Sequence, residues 1–261
     1  MKRKREIILL IVLIIFFIFI NYNFTDNAIK NFLDESETVH VERIIDGDTI
    51  VVGNDTHVRL SGINTPEKGE KYYNEAKEFL TKIILNKTIV LEYGKEKYDR
   101  YDRELAYVFY KDANINLELV DEGYANFYFP SGRDEYYDKF LRNWEHCLSN
   151  NKNLCEKSKD KCADCIELKE LDITKQETIF YNKCSFDCDL TNWNIKDEGR
   201  KNFIFGDFIL EKNKEIKIIV GNKTNSEDVL YWKGEDYVWT ETGDTLFLRD
   251  EEGKLVLWRE I

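Results

Sequence analysis

The sequence predicts two folded units, a small closed β-barrel with helices (α+β) and then an all-β sandwich, behind one apolar N-terminal helix. Three observations carry this. Residues 7–20, IILLIVLIIFFIFI, are apolar without a break. Residues 38–150 mix short alternating runs with runs of helical spacing, and residues 166–261 show short strand-like runs with no helical stretch. The 261 residues are 43% hydrophobic, with 13 Gly and 2 Pro, which excludes disordered and low-complexity classes. The formal charge is −12, and four of the cations sit together at Lys2–Arg5. Such a chain does not coat nucleic acid by bulk charge. Any phosphate chemistry belongs to a local site helped by a metal.

The uncharged stretch Ile7–Thr25 would rise roughly 28 Å as a helix, enough to span a hydrocarbon core. Basic residues precede it and acidic ones follow, so residues 1–25 read as a cytoplasmic tip and membrane anchor with the rest outside. The flank NYNFTDNAIK offers no small-x-small cleavage site, but a cleaved signal, giving a secreted protein, stays open. Residues 26–37 read as a polar stalk. Asn-x-Thr sequons at Asn23, Asn54, Asn86 and Asn222 permit glycosylation.

In the first unit, Val39–Ile45, Thr49–Val52 and His57–Leu60 read as strands, with hairpin turns at Asp46-Gly47-Asp48 and Gly53-Asn54-Asp55. Tyr72, Ala76, Phe79, Leu80, Ile83 and Ile84 predict a helix over 68–85. Strands return at Thr88–Tyr93 and Leu105–Tyr110, and helices at 114–124 and 134–149. Five short strands with inserted and appended helices suggest a barrel of the oligonucleotide/oligosaccharide-binding type. The Lys-rich segment 151–165 reads as a Cys-bearing linker. Strands follow at 166–171, 177–183, 190–196, 203–205, 208–210, 215–220, 229–232, 236–239, 244–249 and 254–258, the pattern of a sandwich.

Three clusters in the first unit carry chemistry: Ile45-Asp46-Gly47-Asp48-Thr49, Arg59-Leu60-Ser61-Gly62-Ile63-Asn64-Thr65-Pro66-Glu67, and Asp99-Arg100-Tyr101-Asp102-Arg103-Glu104-Leu105-Ala106-Tyr107. Each alone has a bland reading: a hairpin turn, a helix start, a solvated charge run. Together they suit phosphodiester cleavage. Guanidinium forks match phosphate oxygens and stay charged. A carboxylate can deprotonate water. A hard divalent cation on oxygen ligands neutralises developing charge.

In this order and spacing, with the segment Asn116–Ala125, the clusters resemble the staphylococcal nuclease (thermonuclease) family over residues 38–150. The resemblance implies a Ca²⁺-dependent endonuclease acting on DNA and RNA with little sequence specificity, cutting on the 5′-oxygen side to leave 3′-phosphates. It implies Asp48, Asn64 and the Thr65 carbonyl as metal ligands, Arg59 and Arg103 as phosphate clamps, and Glu67 as general base. It also implies Tyr101 and Tyr128 lining the nucleotide pocket. Asp46 shapes its turn. Asn64 stands where the family has a second aspartate. It keeps an acceptor oxygen but removes one ligand charge, so weaker Ca²⁺ binding is expected. A monomer is expected. The competing readings are a barrel that grips nucleic acid without cutting, and a surface adhesion protein.

The six cysteines are Cys147, Cys155, Cys162, Cys165, Cys184 and Cys188. Pairing of Ile166–Leu171 with Glu177–Lys183 would bring Cys165 and Cys184 to one end of a hairpin. Disulfides are favoured for an exported chain, with structural Zn²⁺ the lesser alternative. Glu177–Asn182, Asp189–Asp197, Val238-Trp239 and Gly243–Asp250 resemble the lamin-tail domain, an immunoglobulin-like sandwich, over about 166–258. Trp193, Trp232 and Trp239 are expected in its core, and its partner is left open. His40, His57 and His146 share no spacing that suggests a metal site.

Overall fold

The computed structural model describes residues 36–261 and, within the apolar run, Ile11 and Phe16 alone. The expected anchor at 1–25 and nearly all of the stalk at 26–37 lie outside the described residues. Among those described, no helix is long and apolar enough to cross a membrane. Ser36 and Glu37, read as stalk, pair as strand with Glu92 and Leu91.

Strands β1 (Ser36–Ile44), β2 (Thr49–Val52) and β3 (Thr56–Leu60) form an antiparallel meander. After β4 (Ile63–Asn64) and helix α1 (Tyr73–Ile84) come β5 (Thr88–Tyr98) and β6 (Glu104–Tyr110). β5 pairs with β1 and β6, and β6 runs parallel to β3 with Val58 opposite Glu104. The ring β1-β2-β3-β6-β5 closes the expected five-stranded barrel. Val41, Ile50, Val58, Leu91 and Val108 are fully buried. Closure leaves no open edge in the ring. α1 lays Ala76, Leu80 and Ile84, four residues apart, on the core. It starts at Tyr73, later than the spacing predicted, because Tyr72 is left-handed (φ 69°) and cannot continue a helix backwards. After β7 (Ala113–Asn114), Asn114 accepts from Leu117 N (3.1 Å) and caps α2 (Ile115–Asp121). β8 (Asn126–Phe127) pairs with β4, and α3 (Tyr137–Asn150) follows.

The second unit contains β9 (Ile166–Asp172), β10 (Glu177–Asn182), β11 (Cys188–Asp189), β12 (Asn194–Lys196) and β13 (Asn202–Ile204). It continues with β14 (Ile209–Leu210), β15 (Glu215–Val220), β16 (Val229–Trp232), β17 (Thr245–Arg249) and β18 (Leu255–Glu260). Two four-stranded sheets, β16-β15-β10-β9 and β13-β12-β17-β18, contribute Phe180, Ile216 and Ile218 and Ile195, Leu246 and Leu248 to one core, consistent with a sandwich. Trp193, Trp232 and Trp239 lie in it as expected. The run 236–239 is not a strand. Val238 N and Trp239 N donate to Gln176 Oε1 (2.6 and 2.9 Å) and Trp239 O accepts from Gln176 Nε2 (2.7 Å), so one side-chain amide stands where a ladder would. The strand expected over 190–196 starts only at Asn194, because Asn192 is left-handed and Trp193 N turns back to Leu190 O.

All six cysteines form disulfides, Cys147–Cys155, Cys162–Cys188 and Cys165–Cys184, so no thiolate is left for the Zn²⁺ alternative. The first ties segment 151–165 to α3, and Leu154, Cys155 and Cys162 are buried, so this segment is packed rather than free. The two units share a core. Trp144 of α3 meets Phe247 and Trp258 of the sandwich edge-on at 5.5 and 6.3 Å, and Phe127 meets Trp258 at 6.5 Å. Buried Arg249 donates to Leu154 O at 2.7 Å.

Candidate functional site

The site begins with a turn that only glycine permits. A Cβ on Gly47 would lie 2.8 Å from Ala76 Cβ and 2.9 Å from the Thr65 side chain. Asp46 accepts from Asp48 N (3.1 Å), the turn-shaping role expected of it. This aims Asp48 inward against the start of the Thr65-Pro66-Glu67 segment.

Asp48 is the hub. Its Oδ2 accepts from Thr65 N (3.0 Å), Thr65 Oγ1 (2.9 Å) and Arg59 Nη2 (3.1 Å), and its Oδ1 from Thr49 Oγ1 (3.1 Å). Burial pushes the Asp48 carboxyl up, but Arg59 and the hydrogen bonds from Thr65 and Thr49 outweigh it and hold the group below the ordinary carboxylate range. Arg59 is itself buried. Its Nη1 donates to Leu60 O (2.8 Å) and its Nη2 also reaches Asn64 Oδ1 (3.1 Å). Arg103 joins from the β5–β6 loop, with Nη1 at 3.5 Å from Thr49 Oγ1. Asp99 positions it by accepting from Arg103 N, Arg103 Nε and Tyr101 N.

Glu67 lies two residues beyond Thr65, its N–H donating to Glu70 Oε2 (2.8 Å) and its carboxylate paired with Arg200 Nε (2.6 Å). Tyr101 is exposed, with the Arg100 and Arg103 guanidinium carbons 4.9 and 5.5 Å from its ring centre. Tyr101 and Arg103 help line an open groove of about 570 Å³ with Asp55, His57, Tyr98 and Asp102. Tyr128 is half-buried; burial and then the charge of Asp197 push its phenol up, opposed by Arg59 and Arg100.

The residues singled out in sequence thus form one chain of contacts, Arg103–Thr49–Asp48–Arg59–Asn64. Glu67 joins it through a loop of the second unit, residues 197–201, which the sequence reading missed. Asn64 Nδ2 donates to Gly199 O (2.7 Å), Asn126 Nδ2 to Glu198 O (2.8 Å), and Arg200 reaches Glu67. Asn64 therefore does something an aspartate could not: its amide anchors the second unit. No sequence signal marks this contact, which joins residues 135 positions apart.

Asp48, Asn64 Oδ1 and Thr65 O are oxygen donors, and Asp48 is ionised, so the set fits a hard cation such as Ca²⁺ in its chemistry. Arg59 Nη2 bridges Asp48 Oδ2 and Asn64 Oδ1 in this structure. Among the described residues, no cluster of three or more His, Cys, Asp or Glu forms a ready cation cage.

The staphylococcal nuclease homologue family model matches residues 57–157, and the lamin tail domain model matches 175–261. The chain is 39% identical over 109 residues to a thermonuclease of Staphylococcus intermedius, covering 38% of this chain and 65% of that protein. It is 33% identical over 127 residues to a thermonuclease of Staphylococcus hyicus, covering 45% and 75%. An uncharacterized endonuclease of Haemophilus influenzae is 37% identical over 107 residues, covering 40% and 59%. The chain thus spans less than two thirds of the length of some of these relatives. The described barrel, the converged Asp48, Arg59 and Arg103, and these matches agree: the chain belongs to the staphylococcal nuclease homologue family and carries a lamin tail domain behind its nuclease barrel.

Proposed function

We propose that this protein is a Ca²⁺-dependent phosphodiester hydrolase that cuts DNA and RNA with little sequence specificity. The observation that carries the reading is the convergence of Asp48, Arg59, Asn64, Glu67 and Arg103, drawn from separate segments, into one continuous network. Water attacks phosphorus in line while Glu67 takes its proton. The P–O5′ bond breaks with its electron pair on O5′, leaving a 3′-phosphate. Arg59 and Arg103 offer fixed positive charge to the phosphate oxygens as charge builds, which preorganised donors do without reorientation of solvent. Ca²⁺, held by Asp48, Asn64 and Thr65, would add neutralising charge at the phosphate. The net charge of −12 disfavours long-range attraction of polynucleotide, so modest affinity is expected.

We further propose that the enzyme faces the outside of the cell, held by residues 7–25 or released by their cleavage. Three disulfides support an oxidising compartment.

Glu67 is half exposed, so Glu67→Gln leaves the fold intact. Single-stranded DNA incubated with residues 26–261 in millimolar Ca²⁺ should be cut, and the variant should lose ~10²–10⁴-fold in rate. No cutting by the wild type, with or without Ca²⁺, would remove the enzyme reading.

A further inference from the structure

Resting on the nuclease reading, we propose that the lamin tail domain completes the active site: Arg200 is a third phosphate-binding guanidinium, supplied to the barrel from the second domain.

The placement of Arg200 is fixed by the fold. The two domains are joined through Trp144, Phe247 and Trp258 and through Arg249 on Leu154 O. The loop 197–201 between β12 and β13 therefore stands against the barrel beside Asn64 and Glu67. It closes on itself through Lys201 N to Asp197 Oδ1 (2.8 Å) and is pinned to the barrel at three points. Asn64 Nδ2 holds Gly199 O, Asn126 Nδ2 holds Glu198 O, and Phe129 N donates to Glu198 Oε1 (3.0 Å). Gly199 brings the loop close, since a Cβ there would touch Tyr128 Cε2 at 3.4 Å.

Of Arg59, Arg103 and Arg200, availability favours Arg200. Arg59 has a side-chain exposure of 6%, and its two Nη atoms serve Leu60, Asn64 and Asp48. Arg103 is 21% exposed, with Nε and Nη2 on Asp99. Arg200 is 52% exposed, and its partner Glu67 is 45% exposed. The guanidinium that an incoming phosphate meets beside Glu67 is that of Arg200. Exposed ion pairs hold weakly, so the partner is readily exchanged. Arg200 passes from Glu67 to a phosphate oxygen as substrate binds, which neutralises the phosphate and leaves the carboxylate free to take a proton from water. A second cation from the same domain supports this division of labour. Lys196 sits on Glu70 at 2.7 Å, so it carries the charge of the neighbouring carboxylate and leaves the one on Glu67 to Arg200. Arg200 lies outside the residues matched to the nuclease family, within those matched to the lamin tail model.

The experiment compares wild type, Arg200→Ala and Arg200→Lys, each carrying both domains, on fluorescently labelled single-stranded DNA across a salt series in Ca²⁺. Arg200→Ala should lower kcat/KM by about tenfold or more, chiefly through KM, and reduce the salt slope of KM by about one phosphate contact. Arg200→Lys should restore the salt slope and part of the rate. An unchanged thermal midpoint shows that the fold is kept. If the wild type cuts and Arg200→Ala cuts as well, with the same salt slope, the inference fails while the nuclease reading stands. If Arg200→Ala cuts faster, Arg200 is a brake on Glu67, and the inference is overturned. A wild type that does not cut removes both.

Discussion

Three carboxyl groups packed where the second domain meets the barrel make stability depend on pH. Asp197, Glu198 and Asp244 are buried, and each is raised, first by burial. The charge of Asp244 adds to this for Asp197 and Glu198, which reach about 7 and about 8 from 3.8 and 4.5; Asp244 reaches about 6 from 3.8. An acid with a raised folded pKa binds more protons in the native state than in the unfolded one between those two values. Its stability contribution is complete below about pH 4 and is lost as pH climbs through 6, 7 and 8. At ~1.4 kcal/mol per pH unit, Glu198 alone would cost on the order of 4 kcal/mol between pH 5 and pH 9. Part of the repulsion is shared among the three, but burial, the first cause for each, is not, so on the order of 4 kcal/mol is the least that the set should cost. For a folded unit of this size that lowers the thermal midpoint by at least about 10 °C. Thermal unfolding of residues 36–261 in a buffer series from pH 5 to 9, disulfides intact, measures it. Asp244→Asn should flatten the dependence, because it removes the charge that raises the other two while keeping an acceptor for Glu198 N and Thr245 N. A midpoint that stays level across that range, or an Asp244→Asn profile identical to wild type, would refute the reasoning.

Three further outcomes follow from Asn64 and from the Cys147–Cys155 bridge. Asn64→Asp removes the donor to Gly199 O and leaves that buried carbonyl without its partner, so stability in chelator should fall by ~1–3 kcal/mol. The same change adds a ligand charge, so Ca²⁺ affinity by calorimetry should rise, and unchanged affinity would exclude Asn64 as a ligand. Replacing Cys147 and Cys155 together by serine opens a bridge between residues eight apart. The loop-entropy cost is about 2.5 kcal/mol, read as a lower urea midpoint, and wild-type stability would show that segment 151–165 is held without the bridge.

The start of β5 was legible because one face is buried, which imposes alternation, and β2, β3 and β6 were legible as short apolar, β-branched runs buried over consecutive residues. The polar end of β5, residues 94–98, was not, because its pairing with β6 leaves those side chains in water. The two-residue strands β4, β7 and β8 are too short to carry a period. The helix expected at 68 began five residues later for want of any sequence mark on the left-handed Tyr72. Residues 236–239 have the composition of a strand, but their backbone is satisfied by Gln176 from elsewhere in the fold.

By itself the sequence determined the class of each domain and picked out Asp48, Arg59, Glu67 and Arg103 as candidates, because they sit in short segments whose local structure is locally encoded. Only the tertiary structure decided which of fifteen cysteine pairings forms. It also decided that Asn64 anchors Gly199, that Arg200 meets Glu67, and that three carboxyls are buried together beside them. The physical reason is range. Turn and strand propensities act over a few residues, whereas a hydrogen bond or ion pair between domains depends on how two cores pack, and that leaves no periodic trace in the chain.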